Sequence, residues 1–333
     1  MKHLNGSSFL KSMDFTKEQL ETLIDLSLEL KRKKYYHVPH PYLKGKNIAL
    51  IFEKPSTRTR AAFSVAAKDL GAQVDFYGKQ DIHLGVKESI ADTARVLGSM
   101  YDGIGFRGYK QAHVEALSQF SDVPVWNGLT NEWHPTQMIA DFMTLKENSG
   151  TLEGKTLTYV GDAQNNVAHD LLMTGAILGV NIHIAAPQSS QPDLHVQKQA
   201  QHYAQQSGAN ILITEDVQKA VYQADVIYTD VWLSMGTDES EWHTRIEAMR
   251  PYQVNKQMIA WTNNPNVMIM HCLPAFHNLE TETAQYIFDK YGLTAMEITE
   301  EMFHSEQSVV FTQAENRLHS IKAVLTATLG NIF

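Results

Sequence analysis

Twice along this chain, short apolar runs alternate with amphipathic helical patterns. That alternation leaves few architectures open, and the simplest is α/β with parallel sheets covered by helices. In the first half, Asn47–Phe52 is a compact apolar run. A helical pattern carrying Phe63, Ala66, Ala67 and Leu70 follows, and Gly71 is placed to end it. Further strands are expected at 73–77, 103–106 and 124–129, and Ile90, Ala94, Leu97 and Tyr101 fall at helical spacing. Pro135 opens a helix through Met138, Phe142 and Leu145, at a position where proline is tolerated. The second half restarts with strand 156–160 and a helix over 165–178, followed by strands at 181–186, 210–214, 226–230 and 267–271. A last long helical pattern covers 306–329, and its length suggests that it returns to the first domain.

A length of 333 residues fits two domains of about 150 each. The expectation is two doubly wound domains, each with a parallel sheet, joined by long helices. The polar, glycine-containing stretch 148–155 sets the boundary. Residues 1–148, joined by a C-terminal helix at about 316–333, form one domain, and 149–315 form the other.

Net charge is −9, which argues against nucleic acid as a partner, since duplex binders carry a basic face. An acidic chain that binds an anion must concentrate its positive charge locally. The single cysteine, Cys272, excludes an intrachain disulfide and fits a cytoplasmic location. The start, Met1-Lys2-His3-Leu4-Asn5-Gly6, has no signal-peptide core, and no stretch approaches the roughly 20 apolar residues of a membrane span.

Ser56-Thr57-Arg58-Thr59-Arg60 sits where the first strand turns into its helix. Free N–H groups at a helix start bind anions, and here hydroxyls and guanidiniums join them. Arginine pairs bidentately with phosphate oxygens. A capped helix with two solvated arginines would show the same letters. Arg107 follows the strand at 103–106, and His134-Pro135-Thr136-Gln137 likewise joins a strand to a helix. Three elements thus bring Arg, His, Gln and hydroxyls to the strand ends where α/β sheets bind ligands.

Together with His271-Cys272-Leu273-Pro274, these motifs are similar in order and spacing to the aspartate and ornithine carbamoyltransferase family. The match spans about 43–328, and the two motifs together are highly specific. The resemblance implies a carbamoyl phosphate-binding first domain and an ornithine-binding second. Ser56, Thr57, Arg58, Thr59 and Arg60 would hold the phosphate. Arg107, His134 and Thr59 would polarise the carbamoyl carbonyl, and Gln137 would bind its amide. Arg317 would close the site. Cys272 and Leu273 would lie near the reacting groups, with no covalent intermediate. His83, in Gln80-Asp81-Ile82-His83-Leu84-Gly85, matches a loop that reaches a neighbouring subunit's phosphate site. A homotrimer or a multiple of trimers is implied, with sites at subunit interfaces and neither metal nor organic cofactor.

Tyr159-Val160-Gly161-Asp162-Ala163-Gln164-Asn165-Asn166 also turns a strand into a helix, but it lacks G-x-G-x-x-G spacing, which disfavours a nucleotide-dependent oxidoreductase. By resemblance, Asn166 takes the ornithine α-carboxylate, Asp230 and Ser234 the α-amino group, and Met235 closes over the site. Asp170 stands where many relatives of this family have Ser, a departure with no assigned effect. Putrescine as acceptor is disfavoured by Asp230 and Asn166. A non-catalytic anion-binding protein is disfavoured by His134 and Cys272. His37 with His40, and His195 with His202, lack accompanying zinc-type ligands, and Lys31-Arg32-Lys33-Lys34 reads as a solvated helix end.

Overall fold

The computed structural model describes residues 4–233 and 238–330. The chain divides into two compact units, residues 1–150 with 314–333, and residues 151–313.

The first unit begins with α1 (Lys17–Tyr35), started by a reciprocal cap between Thr16 and Gln19 and ended by Arg32, Lys33 and Lys34 in its last turn, where cations favour the helix dipole. It continues through β1 (Asn47–Phe52), α2 (Thr57–Asp69), β2 (Gln73–Gly78), α3 (Ile90–Met100), β3 (Gly103–Arg107), α4 (Gln111–Phe120), β4 (Val125–Leu129) and α5 (Pro135–Ser149). The four strands are parallel, in the order β2-β1-β3-β4. The residues of β1 after Asn47 are buried, as an apolar strand covered on both faces requires. Ala49, Ile51, Ile104 and Phe106 of the sheet pack with Ala94, Leu97, Val114 and Leu117 of α3 and α4.

The second unit runs β5 (Thr156–Val160), α6 (Asn166–Leu178), β6 (Asn181–Ala185), α7 (Leu194–Ser207), β7 (Ile211–Thr214), α8 (Val217–Val221), β8 (Val226–Thr229), α9 (Trp242–Met249), α10 (Lys256–Trp261), β9 (Met268–His271), α11 (Glu282–Tyr291) and α12 (Glu300–Phe303). Its parallel sheet has the order β7-β6-β5-β8-β9. Every residue of α6 after Asn166 is buried, so the helix lacks a solvent face. The α/β class with two parallel sheets is as the sequence implies.

Helix α13 (Val310–Leu329) starts later than the pattern at 306 suggests. Ile269 donates to the Gln307 carbonyl at 2.8 Å and accepts from Val309 at 3.0 Å, so 307–309 is extended beside β9 before the helix can start. Among the described residues, no helix is long and apolar enough to cross a membrane.

Candidate active site

In each sheet, strand order reverses beside the first strand of the unit, and α/β sheets bind ligands at that switch point. In the first unit the switch lies between β1 and β3: the Ser56–Arg60 run follows β1 and Arg107 ends β3, while His134 and Gln137 follow β4, the neighbour of β3. Ser56 caps α2, its hydroxyl accepting from Thr59 N–H at 3.3 Å. This places Thr57, Arg58, Thr59 and Arg60 in the first helical turn; the Arg60 N–H closes that turn on the Ser56 carbonyl at 3.2 Å, and the N–H groups of Thr57 and Arg58 precede the first residue that can bond within the helix. Arg107 is the last residue of β3, paired in register with Phe52. Its Nη1 donates to Thr59 Oγ1 at 3.2 Å, and both side chains are buried. Gly128 of β4 leaves room there: a Cβ would stand 3.3 Å from the Thr59 methyl and 3.0 Å from the Phe106 carbonyl. Arg60 is exposed, with its guanidinium 3.6 Å above the Phe76 ring.

His134 precedes Pro135 at the start of α5 and is buried. Burial pushes its pKa well below the ordinary histidine value, and the charges of Arg317, Arg107 and Arg58 push it the same way. The ring is therefore neutral and stands among three guanidiniums, a field that favours an anion. Arg317, buried on α13, places Nη1 3.5 Å from His134 Nε2 and donates to Gln137 Oε1 at 3.0 Å. Gln137 in turn donates to Asp141 at 2.7 Å, which fixes its amide orientation. His83 is exposed on the loop between β2 and α3, where its carbonyl accepts from Val86 and Lys87.

Sequence reasoning passed over Lys54. It is buried beside these groups, with its ammonium 4.2 Å above the Tyr109 ring and 2.8 Å from Asn131 Oδ1. Burial lowers its pKa and nearby Arg107 adds to the effect. Its place between an apolar strand and the hydroxyl-arginine run was the available signal.

In the second unit the switch lies between β5 and β8. Gly161 turns the chain after β5 at a φ of 119°, a conformation that favours glycine. Asn165 caps α6, accepting from Ala168 N–H at 2.8 Å, which leaves Asn166 as the first helical residue, half-buried. Asp230 follows β8 directly rather than ending it. It is buried, and desolvation raises its pKa. Its Oδ1 accepts from Val231 N–H at 2.8 Å and from the Cys272 thiol at 3.1 Å. The ligand atoms of Asp230, His271 and Cys272 lie within 4.8 Å of one another. Leu273 adopts a φ of 58°, unusual for a branched side chain, and its N–H donates to His271 Nδ1 at 2.9 Å. The other nitrogen of His271 faces buried Glu297 at 3.2 Å. Ser234 and Met235 lie outside the described residues.

A pair without a sequence motif joins the two strand ends. Arg245 of α9 pairs with the buried Asp162 in the turn after β5, and its Nε donates to the Trp232 carbonyl after β8 at 3.2 Å. No local pattern could have revealed an ion pair 83 residues apart.

Two parallel sheets with charged and polar side chains gathered at their carboxyl ends define an α/β protein suited to small polar ligands, at least one of them anionic. Residues 7–147 match the model of the carbamoyl-P binding domain of aspartate/ornithine carbamoyltransferase, and residues 153–328 match that of its Asp/Orn binding domain. The chain belongs to this family. It is 57% identical over 330 residues to an ornithine carbamoyltransferase of Levilactobacillus brevis, covering 98% of this chain and 96% of the relative. A catabolic ornithine carbamoyltransferase of Latilactobacillus sakei is 58% identical over 328 residues, covering 98% and 97%. The solved ornithine carbamoyltransferase of Pyrococcus furiosus superposes with a TM-score of 0.91 at 42% identity, covering 100% of both chains.

Proposed function

We infer that this chain transfers a carbamoyl group between carbamoyl phosphate and the side-chain amine of L-ornithine, giving L-citrulline and phosphate, in arginine biosynthesis or degradation. The acceptor follows from full-length similarity to ornithine carbamoyltransferases. The observation that carries the chemistry is the buried His134 with Arg317 Nη1 3.5 Å from its ring, and Arg107 bonded to Thr59; burial and the charges of Arg317, Arg107 and Arg58 hold the His134 pKa low.

In this reading the first unit binds carbamoyl phosphate and the second binds ornithine. Ser56, Thr57, Arg58, Thr59 and Arg60 take the phosphate, with Arg317 and a neighbour's His83. Arg107, His134 and Thr59 bind the carbonyl oxygen, Gln137 the amide, and Cys272 and Leu273 lie beside the reacting groups. Asn166 holds the ornithine α-carboxylate, Asp230 and Ser234 its ammonium, and Met235 covers the site. The neutral amine attacks the carbonyl carbon and forms a C–N bond. The tetrahedral intermediate breaks its C–O bond to phosphate, and the amine proton passes to the departing phosphate. Donors aimed at the developing oxyanion contribute about 3–4 kcal/mol each in comparable sites. The protein works in the cytoplasm as a trimer or a multiple of trimers, which suits a single cysteine and an exposed His83 loop.

Steady-state kinetics with ornithine, putrescine and aspartate, in both directions, test the reading. Citrulline formation from ornithine should dominate. Asp230→Ala should raise the ornithine KM and lower kcat while carbamoyl phosphate binding is nearly unchanged. Loss of carbamoyl phosphate binding first would reverse the assignment of the two units.

A further inference from the structure

Away from the strand ends just described, three side chains of the second unit converge. Glu300 opens α12, His304 closes it, and His277 lies five residues beyond Cys272. His277 Nδ1 contacts Glu300 Oε2, and His304 Nε2 lies 3.5 Å from Glu300 Oε1. All three ligand atoms lie within 4.8 Å of one another. The His277 ring stacks on Phe303 with centroids 3.7 Å apart and planes 6° apart, and it stands edge-on to His304. Phe303 is buried, so packing as well as the carboxylate orients the imidazole.

Two imidazoles and a carboxylate form a donor set for borderline divalent metals. Bonds of about 2.0–2.1 Å in a tetrahedral site put neighbouring ligand atoms about 3.3 Å apart. The His304–Glu300 separation of 3.5 Å is close to that. The exposed Glu300 side chain can open its contact with His277 by rotating, without backbone movement. His277 and Glu300 also line a cavity of about 610 Å³, together with Trp232, Arg250, Gln253 and Thr299. A fourth coordination position thus has room for water or a small anion.

We propose that His277, Glu300 and His304 bind a divalent transition-metal ion of the zinc type, with the cavity supplying its remaining ligand. The ion ties α12 to the segment following β9, so its binding stabilises that part of the unit.

Asp230, His271 and Cys272 form a second cluster of metal-type donors, and thiolate is a strong zinc ligand. The test therefore uses the full chain with Cys272→Ser, stripped of metal and titrated calorimetrically with Zn²⁺, and with Co²⁺ read by absorption. One ion per chain should bind with micromolar affinity, and cobalt should show no thiolate charge-transfer band. Added in this background, His277→Ala, Glu300→Gln and His304→Ala should each weaken binding by about 10-fold or more. Zn²⁺ should raise the Tm of the parent but not of these variants. If His277→Ala does not fold, the exposed positions Glu300 and His304 decide. Equal affinity in the folded variants, or binding only at millimolar zinc, overturns the proposal.

Discussion

A buried histidine among arginines has its protonation settled by its surroundings. His134 is kept neutral first by desolvation, then by Arg317, Arg107 and Arg58, so it adds no ionisation near neutral pH. The pH dependence of the synthetic direction then belongs to the substrate. A lysine-like amine has a pKa of about 10.4, and freeing it at pH 7 costs roughly 4–5 kcal/mol. Apparent kcat/KM for ornithine should rise almost tenfold per unit between about pH 7 and 9; a flat profile in intact protein removes neutral-amine attack from the mechanism. The same physics reaches stability through His319 on α13. Burial pushes its pKa down to about 3, and nearby Lys322, Lys31 and Lys34 oppose protonation too. Below pH 6.5 the unfolded chain takes up the proton and the folded chain refuses it, so stability is lost as pH falls towards the folded value. That loss amounts to roughly 2–3 kcal/mol between about pH 7 and 4.5. His319→Gln should remove it. Urea denaturation at both pH values checks this, and an unchanged difference between them would show that His319 protonates in the folded state.

At the level of elements, Asn166 and Asp230, the residues proposed to hold ornithine, follow two strand ends whose relative position sets their spacing. Arg245 bonds to both, reaching Asp162 after β5 and the Trp232 carbonyl after β8. Arg245→Met should raise the ornithine KM about tenfold, as misplaced groups lose near-attack geometry, with carbamoyl phosphate KM unchanged. A fall in Tm without a KM split would make Arg245 a structural residue only. Sheet strands were legible because they are short apolar runs: 47–52 and 156–160 read directly as β1 and β5. Thr59 and Arg107 were legible as neighbours because parallel strands bring their carboxyl ends together, and they meet at 3.2 Å. The start of α13 was not legible, since pairing of 307–309 with Ile269 is tertiary. Arg245 and Lys54 were missed for a related reason. An isolated charged residue shows its role only after folding gives it a buried partner, as Asp162 does, or buries it beside Tyr109 and Asn131.

For the whole molecule, the proposed reading has each site completed by a second copy of the chain. His83 and the exposed Val86 lie on a loop with few buried side chains, of which Leu84 is one. A simple surface turn would have the same sequence, so complementation must separate the readings. Arg107→Ala removes a donor from a subunit's own pocket but leaves its loop intact. His83→Ala leaves its own pocket intact but disables the site to which it donates. Each variant should be weakened as a homo-oligomer. After co-denaturation and refolding of an equal mixture, a site is whole only if its pocket comes from one variant and its loop from the other. Random assembly gives each condition a probability of one half, so about a quarter of sites should be whole in a cyclic oligomer. Activity should rise to about a quarter of the unsubstituted protein, well above the mean of the two parents. With hybrids verified by native mass spectrometry, recovery no greater than that mean would place His83 in its own subunit's site or outside the chemistry.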